Sequence, residues 1–267
     1  MVKEALTRAG GSFDKRQTAH RNLCNAMSAQ VFARLLLRCL CGKPCLSNFE
    51  SRVRMSEFAQ RRVTMVDSQV RPSDVTKFPI IAAMLAIPRE AFVPAGREEA
   101  AYMGDNLDIA PGRVMLEPRT LAKMLDALDL QPEERVMDLG TGLGYAAAVL
   151  AEMVAEVVAV EENPTLAAEA TRCLAAVRNV SLHTGPLTAG AAGLFDVIIL
   201  QGGVEQVPGV ILDQLKDHGR IAAVFMSGAL GTVRIGHKAD GRVTWRFAFN
   251  ASCPILPGFS TGRGFVL

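Results

Sequence analysis

Between residues 135 and 225 the chain alternates short Val/Ile/Leu-rich runs with helical patterns, and few architectures can absorb such an alternation. The runs 135–139, 156–161, 179–183, 195–201 and 220–225 are apolar on both faces, as strands covered on both sides must be. Between them the spacing predicts helices over 145–153, 164–177 and 208–216. Asn163 stands where it caps the second, which carries Leu166, Ala170, Cys173, Leu174 and Val177 on one face, and Gly219 stops the third. Strand, helix, strand in repetition gives an α/β fold with a doubly wound, mostly parallel, Rossmann-like sheet. Residues 232–237 and 242–250, turned at Ala239-Asp240-Gly241, read as an antiparallel hairpin at the C-terminal edge of that sheet.

Upstream lies an N-terminal helical cap. Val75, Phe78, Ile81, Ala82 and Leu85 recur at helical spacing after Pro72, and Pro79 inside the run predicts a kink or a shortened helix. Pro88 and Pro94 punctuate an extended stretch. A second amphipathic helix begins at Pro118, buries Leu121, Met124, Leu125 and Leu128 on one stripe, and ends near 130–132. The organised part is therefore 55–267, divided into a cap and substrate region, 55–134, and a cofactor-binding sheet, 135–267.

Residues 1–54 differ in kind. They hold ten Lys/Arg against three acids, a net of +7, and the other 213 residues carry −5, so the whole-chain +2 conceals a strong asymmetry. Four of the six cysteines (Cys24, Cys39, Cys41 and Cys45) also fall there, at spacings that do not form the paired C-x2-4-C of a zinc site. The expectation for 1–54 is a basic, disordered extension or an upstream stretch read from too early a start, with Met55 as the alternative beginning. No apolar run in this segment is long enough for a membrane span, because Arg34 and Arg38 interrupt 31–40. Elsewhere the cysteines follow no framework, which points to a reducing compartment, the cytoplasm. Basic charge without interleaved aromatics gives no nucleic-acid motif.

The chemistry gathers after the first strand. Asp138-Leu139-Gly140-Thr141-Gly142-Leu143-Gly144-Tyr145 puts an acid near the strand end and glycines where the backbone turns tightly beneath a ligand. A dinucleotide loop wants G-x-G-x-x-G, but Tyr145 occupies its last position, whereas G-x-G-x-G is met at Gly140, Gly142 and Gly144. That spacing favours S-adenosyl-L-methionine over a nicotinamide cofactor. An acid such as Asp138, or nearby carbonyls, suits the cofactor's methionine amine, and Glu161, closing the next strand, suits both ribose hydroxyls. Asp138, Gly140, Thr141, Gly142, Gly144, Tyr145 and Glu161 are thus the candidate cofactor residues. The four histidines are scattered and no His/Cys/Asp cluster suggests a metal.

Three segments together resemble the protein-L-isoaspartate O-methyltransferases: Ile87-Pro88-Arg89-Glu90-Ala91-Phe92-Val93-Pro94, then Ala101-Tyr102, then the glycine loop running on into Ala146-Ala147-Ala148-Val149-Leu150-Ala151. The match is collinear over about residues 66–225, and Val158-Ala159-Val160-Glu161, Phe195-Asp196-Val197-Ile198-Ile199 and Gln214-Leu215 continue it. The resemblance implies a repair enzyme that methylates the α-carboxylate of isoaspartyl residues in damaged proteins, giving an ester that collapses to a succinimide. Two departures stand out. Where that family usually has Gly-Gln-Thr-Ile-Ser-Gln-Pro, this chain reads Gly112-Arg113-Val114-Met115-Leu116-Glu117-Pro118, so Leu116 replaces a serine. Where it generally has Gly-Asp-Gly, Gly185 is followed by Pro186 and Leu187.

Arg113, Leu116 and Glu117 are therefore the candidate substrate-contacting residues. Arg113 could pair with an acceptor carboxylate, or Arg113 and Glu117 are solvated loop charges. Tyr102 and Phe92 could line the mouth, with core packing the blander fate of Phe92. A carboxylate acceptor is ionised at neutral pH and needs no general base. Two other readings stay open: a methyltransferase whose acceptor has diverged, and a noncatalytic adenosylmethionine-binding regulator.

Overall fold

A computed structural model describes residues 57–261, and the expectations for residues 1–54 lie outside them. Among the described residues nine strands appear in chain order: β1 (Leu107–Ala110), β2 (Arg113–Met115), β3 (Arg135–Leu139), β4 (Glu156–Glu161), β5 (Val180–Thr184), β6 (Phe195–Val204), β7 (Leu215–Ser227), β8 (Leu230–Ala239) and β9 (Arg242–Asn250). Seven of them form one sheet in the order β5-β4-β3-β6-β7-β8-β9. Its first five members are parallel, and β8 and β9 complete it antiparallel. The chain enters at β3, steps outward through β4 to β5, then crosses back to β6. The reversal between β3 and β6 is the crevice where such sheets bind ligands.

Period-two alternation divides the core. Val136, Val157, Ala159, Val197, Ile199, Ala222 and Val224 face one layer, with the helices Phe78–Ala86, Pro118–Leu128, Tyr145–Ala151 and Pro164–Cys173 packed over them. Met137, Leu139, Val158, Val160, Ile198, Leu200, Ile221 and Ala223 face the other, beneath Leu187, Ile211, Leu215 and Phe259. Pro118–Leu128 buries all four residues of its expected stripe. Asn163 caps Pro164–Cys173, its Oδ1 accepting from the amides of Thr165 and Leu166 at 2.9 and 3.3 Å. The β8–β9 turn has positive φ at Asp240 and Gly241, the conformation that suits the strands' right-handed twist.

Several boundaries differ from expectation, each for a local reason. Pro79 lies in the first turn of Phe78–Ala86, where no intrahelical N–H is needed, so it starts the helix instead of kinking it. The third crossover helix is only Gly209–Asp213. The chain then joins β7 at Leu215, loops out through His218 at positive φ, and re-enters register at Arg220. The strand expected to end at Gln201 continues to Val204, because the C-terminal tail pairs with it: Gly203 N donates to Pro254 O and Leu256 N to Gly203 O, both at 2.8 Å. The hairpin β1–β2 was not anticipated. It pairs Leu107 with Met115, Asp108 with Val114 and Ala110 with Arg113, as a two-stranded ribbon separate from the main sheet.

Candidate functional site

The loop after β3 folds back onto the end of β4. The amides of Gly140 and Thr141 donate to Val160 O at 2.9 and 3.1 Å, and the Gly142 amide donates to Glu161 Oε2 at 2.8 Å. Gly140, Gly142 and Gly144 all have positive φ, between 62° and 93°, which is why glycine occupies each of these positions. Asp138 is fully buried. Its Oδ1 accepts from Gln201 Nε2 at 2.7 Å and its Oδ2 has no hydrogen-bond partner. Burial pushes the Asp138 carboxyl up to about 6, because the charged form loses water that its polar neighbours Thr141 and Gln201 do not replace.

Arg113 and Glu161, expected at two different sites, meet at one. The guanidinium forks onto the carboxylate, Nη1 to Oε1 and Nη2 to Oε2, both at 2.7 Å, and Nη2 also donates to Gly140 O at 2.9 Å. Neither partner is exposed: Glu161 is at 0% and Arg113 at 5%. The solvated-loop reading of Arg113 is therefore corrected. A planar fork that matches a carboxylate finds one inside its own chain before it meets any acceptor.

Leu116 is buried among apolar neighbours, and its carbonyl accepts from Arg89 Nη2 at 2.7 Å. Glu117 precedes the helix Pro118–Leu128. Its carboxylate accepts from Thr120 Oγ1 at 2.6 Å and its backbone N–H donates to Asn106 Oδ1, so it anchors the helix start. Phe92 packs edge-on against Tyr145, ring centres 5.9 Å apart, on the wall of the crevice. Tyr102 turns elsewhere, its hydroxyl donating to Glu90 and accepting from Arg62.

Two further residues carry the site without having been singled out for it. Gln201 is the partner of Asp138, and a lone amide at the end of an apolar strand is the signal that could have found it. Arg89 is 1% exposed and donates to Ala101 O and Leu116 O, with its guanidinium carbon 4.7 Å from the centre of the Tyr145 ring. Burial lowers its pKa, and it ties the segments flanking the β1–β2 hairpin to the glycine loop.

The donor set fits S-adenosylmethionine: a glycine cradle, a buried carboxylate with a free oxygen, and a second carboxylate ending the neighbouring strand. The space is filled by the protein itself. Phe92, Ile109, Leu116, Leu143 and Gln201 are among the residues around a cavity of about 10 Å³, roughly what one water needs. A Cβ on Gly142 would stand 2.5 Å from Ile109 Cδ1, and one on Gly202 would stand 2.6 Å from Leu256 Cδ2. The chemistry fits and the conformation is closed. At the far end, Gly185 and Pro186 shape an open depression with Glu162, Asn163 and Pro164. Among the described residues no group of His, Cys, Asp and Glu is placed to hold a metal ion, and no helix is long and apolar enough to cross a membrane.

Comparison with known proteins converges on one group. The family described as "Protein-L-isoaspartate(D-aspartate) O-methyltransferase (PCMT)" matches residues 61–247. A protein-L-isoaspartate O-methyltransferase of Methylorubrum extorquens is 36% identical over 208 residues, 76% of this chain and 91% of that protein. One from Koribacter versatilis is 34% identical over 193 residues, 71% of this chain and 87% of that protein. Among solved structures, a protein-L-isoaspartate O-methyltransferase superposes with a TM-score of 0.66 at 23% identity, covering 74% of this chain and 66% of that one. A putative one from Plasmodium falciparum, in complex with S-adenosyl-L-homocysteine, gives 0.63 at 18% identity, covering 72% of this chain and 96% of that one. At those identities the two structures speak for the fold.

Proposed function

The chain belongs to the protein-L-isoaspartate(D-aspartate) O-methyltransferase family, and from that premise we propose that it methylates the carboxylate of L-isoaspartyl residues in damaged proteins as a step in their repair. The cofactor is S-adenosylmethionine, which supplies an electrophilic methyl on a sulfonium centre. Gly140, Thr141, Gly142, Gly144 and Tyr145 form its cradle, Asp138 receives its ammonium group, and Glu161 receives its ribose.

One observation carries this assignment: the free oxygen of Asp138 lies in the crevice where the strand order reverses, with Glu161 closing the next strand. At a pKa of about 6, Asp138 is largely ionised at neutral pH and can hold a cation. An isoaspartyl carboxylate has a reference pKa of about 4, so the acceptor arrives as a nucleophile and needs no base. What the chain must supply is alignment and the exclusion of water. Phe92, Ile109, Leu116 and Leu143 give an apolar wall for this, and orientation alone can be worth an effective molarity on the order of 10⁵ M. Leu116 offers no hydroxyl to such an acceptor. Free Cys173 and Cys253 suit a reducing cytoplasm, and burial pushes the Cys253 thiol up to about 12, which leaves it inert.

The test is a pair of peptides identical except for one isoaspartyl linkage, incubated with methyl-labelled cofactor. Label is expected in the isoaspartyl peptide and not in its aspartyl twin. Cofactor binding with label in neither peptide would reject this acceptor.

A further inference from the structure

An ionised carboxylate offers about four lone-pair sites, and on Glu161 four donors take them. Oε1 accepts from Arg113 Nη1 at 2.7 Å and from the Asn163 amide at 3.0 Å, while Oε2 accepts from Arg113 Nη2 at 2.7 Å and from the Gly142 amide at 2.8 Å. The two backbone donors are built into the loop and the strand end. The two guanidinium donors arrive on β2, in a ribbon that makes no strand pairing with the main sheet. We infer that Arg113 is a built-in competitor for the cofactor's ribose: it occupies the acceptor a diol would use, so the β1–β2 hairpin is a latch that S-adenosylmethionine must displace, and Arg113 sets the affinity of the site. This rests on Glu161 being the ribose acceptor, as proposed above.

Three further observations point the same way. Ile109, on the other strand of the ribbon, lies against Gly142, so the hairpin places a side chain on the glycine loop as well as on the carboxylate. The cavity left beneath it, between the ribbon and Thr141, Leu143 and Tyr145, is about 10 Å³, roughly one water. Arg113 Nε is buried with no partner, so the closed state leaves a donor unpaired and is not the most favourable home for this guanidinium. A displaceable contact needs two states of similar free energy, and an ion pair with one donor left unpaired holds the closed state less firmly than a fully satisfied one would.

Calorimetric titration with S-adenosylhomocysteine, on wild type, Arg113→Gln and Arg113→Lys, tests the latch, together with thermal melts of each protein without ligand. Arg113→Gln is expected to melt at a lower temperature alone yet bind at least about tenfold more tightly, because ligand no longer pays to break the pair. Arg113→Lys is expected to fall between the two, since an ammonium is a point charge that cannot fork onto both oxygens. It also serves if the glutamine variant fails to fold. Unchanged affinity in a folded variant overturns the latch, and weaker affinity overturns it and makes Arg113 part of the ligand's own site. No heat with any of the three proteins instead overturns the cofactor assignment on which the latch depends.

Discussion

Residues 135–204 bring glycines, amides and two carboxylates to the crevice on parallel strands. Residues 107–117 bring Ile109, Arg113 and Leu116 to the same place on two short strands hydrogen-bonded to each other. The first region is fixed by burial on both faces of the sheet, where Val136, Met137, Leu139, Val157 and Val160 are at 0% exposure. The second makes no strand pairing with that sheet and is held by the burial of Leu107, Val114, Met115 and Leu116 together with the Arg113 fork and the Arg89 hydrogen bond to Leu116 O. Position and occupancy are thus separated: the sheet decides where a ligand's polar groups would go, and the ribbon decides whether there is room.

Glu161→Ala probes the seam between the two regions and should have the largest effect. It strands a buried guanidinium, and the loss in urea unfolding at pH 7 should be about 3–5 kcal/mol. A loss below about 1 kcal/mol would mean the ribbon is held by other contacts.

Asp138→Asn separates the charge of the sheet region from its shape. Folding raises this carboxyl from its ordinary value near 4 to about 6. The group is therefore neutral and harmless below pH 4, and costs stability progressively as pH rises from about 4 to 6. At pH 7 the asparagine variant should be more stable by about 2–3 kcal/mol, and its stability should lose that dependence between pH 4 and 6. Coincident pH profiles for the two proteins would show that no buried charge is carried there.

Asn163→Ala should be the mildest of the three, costing about 1 kcal/mol through the lost helix cap. Because it acts within the sheet region, hydrogen exchange in residues 107–116 should be unchanged. Faster exchange there would show that the two regions are not independent.

Much of the sheet region was legible because its cues are local. The bounds of β3 and β4 follow from apolar runs, the Asn163 cap from its place before Pro164, and the loop from glycine spacing. The ribbon was not legible. Its strands are four and three residues long, too short for periodicity to register, and the Pro111-Gly112 turn between them was the one available sign. The Arg113–Glu161 pair spans 48 residues, and only the assembled sheet brings it together. A charged residue in a glycine-proline-bounded segment reads as solvent-facing until a buried partner is in view. Gln201 was hidden for a related reason, as the last polar residue of a run whose apolar members dominate the pattern.

The tail that lengthens β6 has a practical consequence. Ile255 bridges Gly203, Phe259 accepts from the amides of Glu205 and Gln206, and Leu256 presses on Gly140 and Gly202. Residues 254–259 thus form one wall of the crevice. Trimming Leu256 to alanine would therefore loosen the packing over Gly140 and Gly202 and register in any titration of the site.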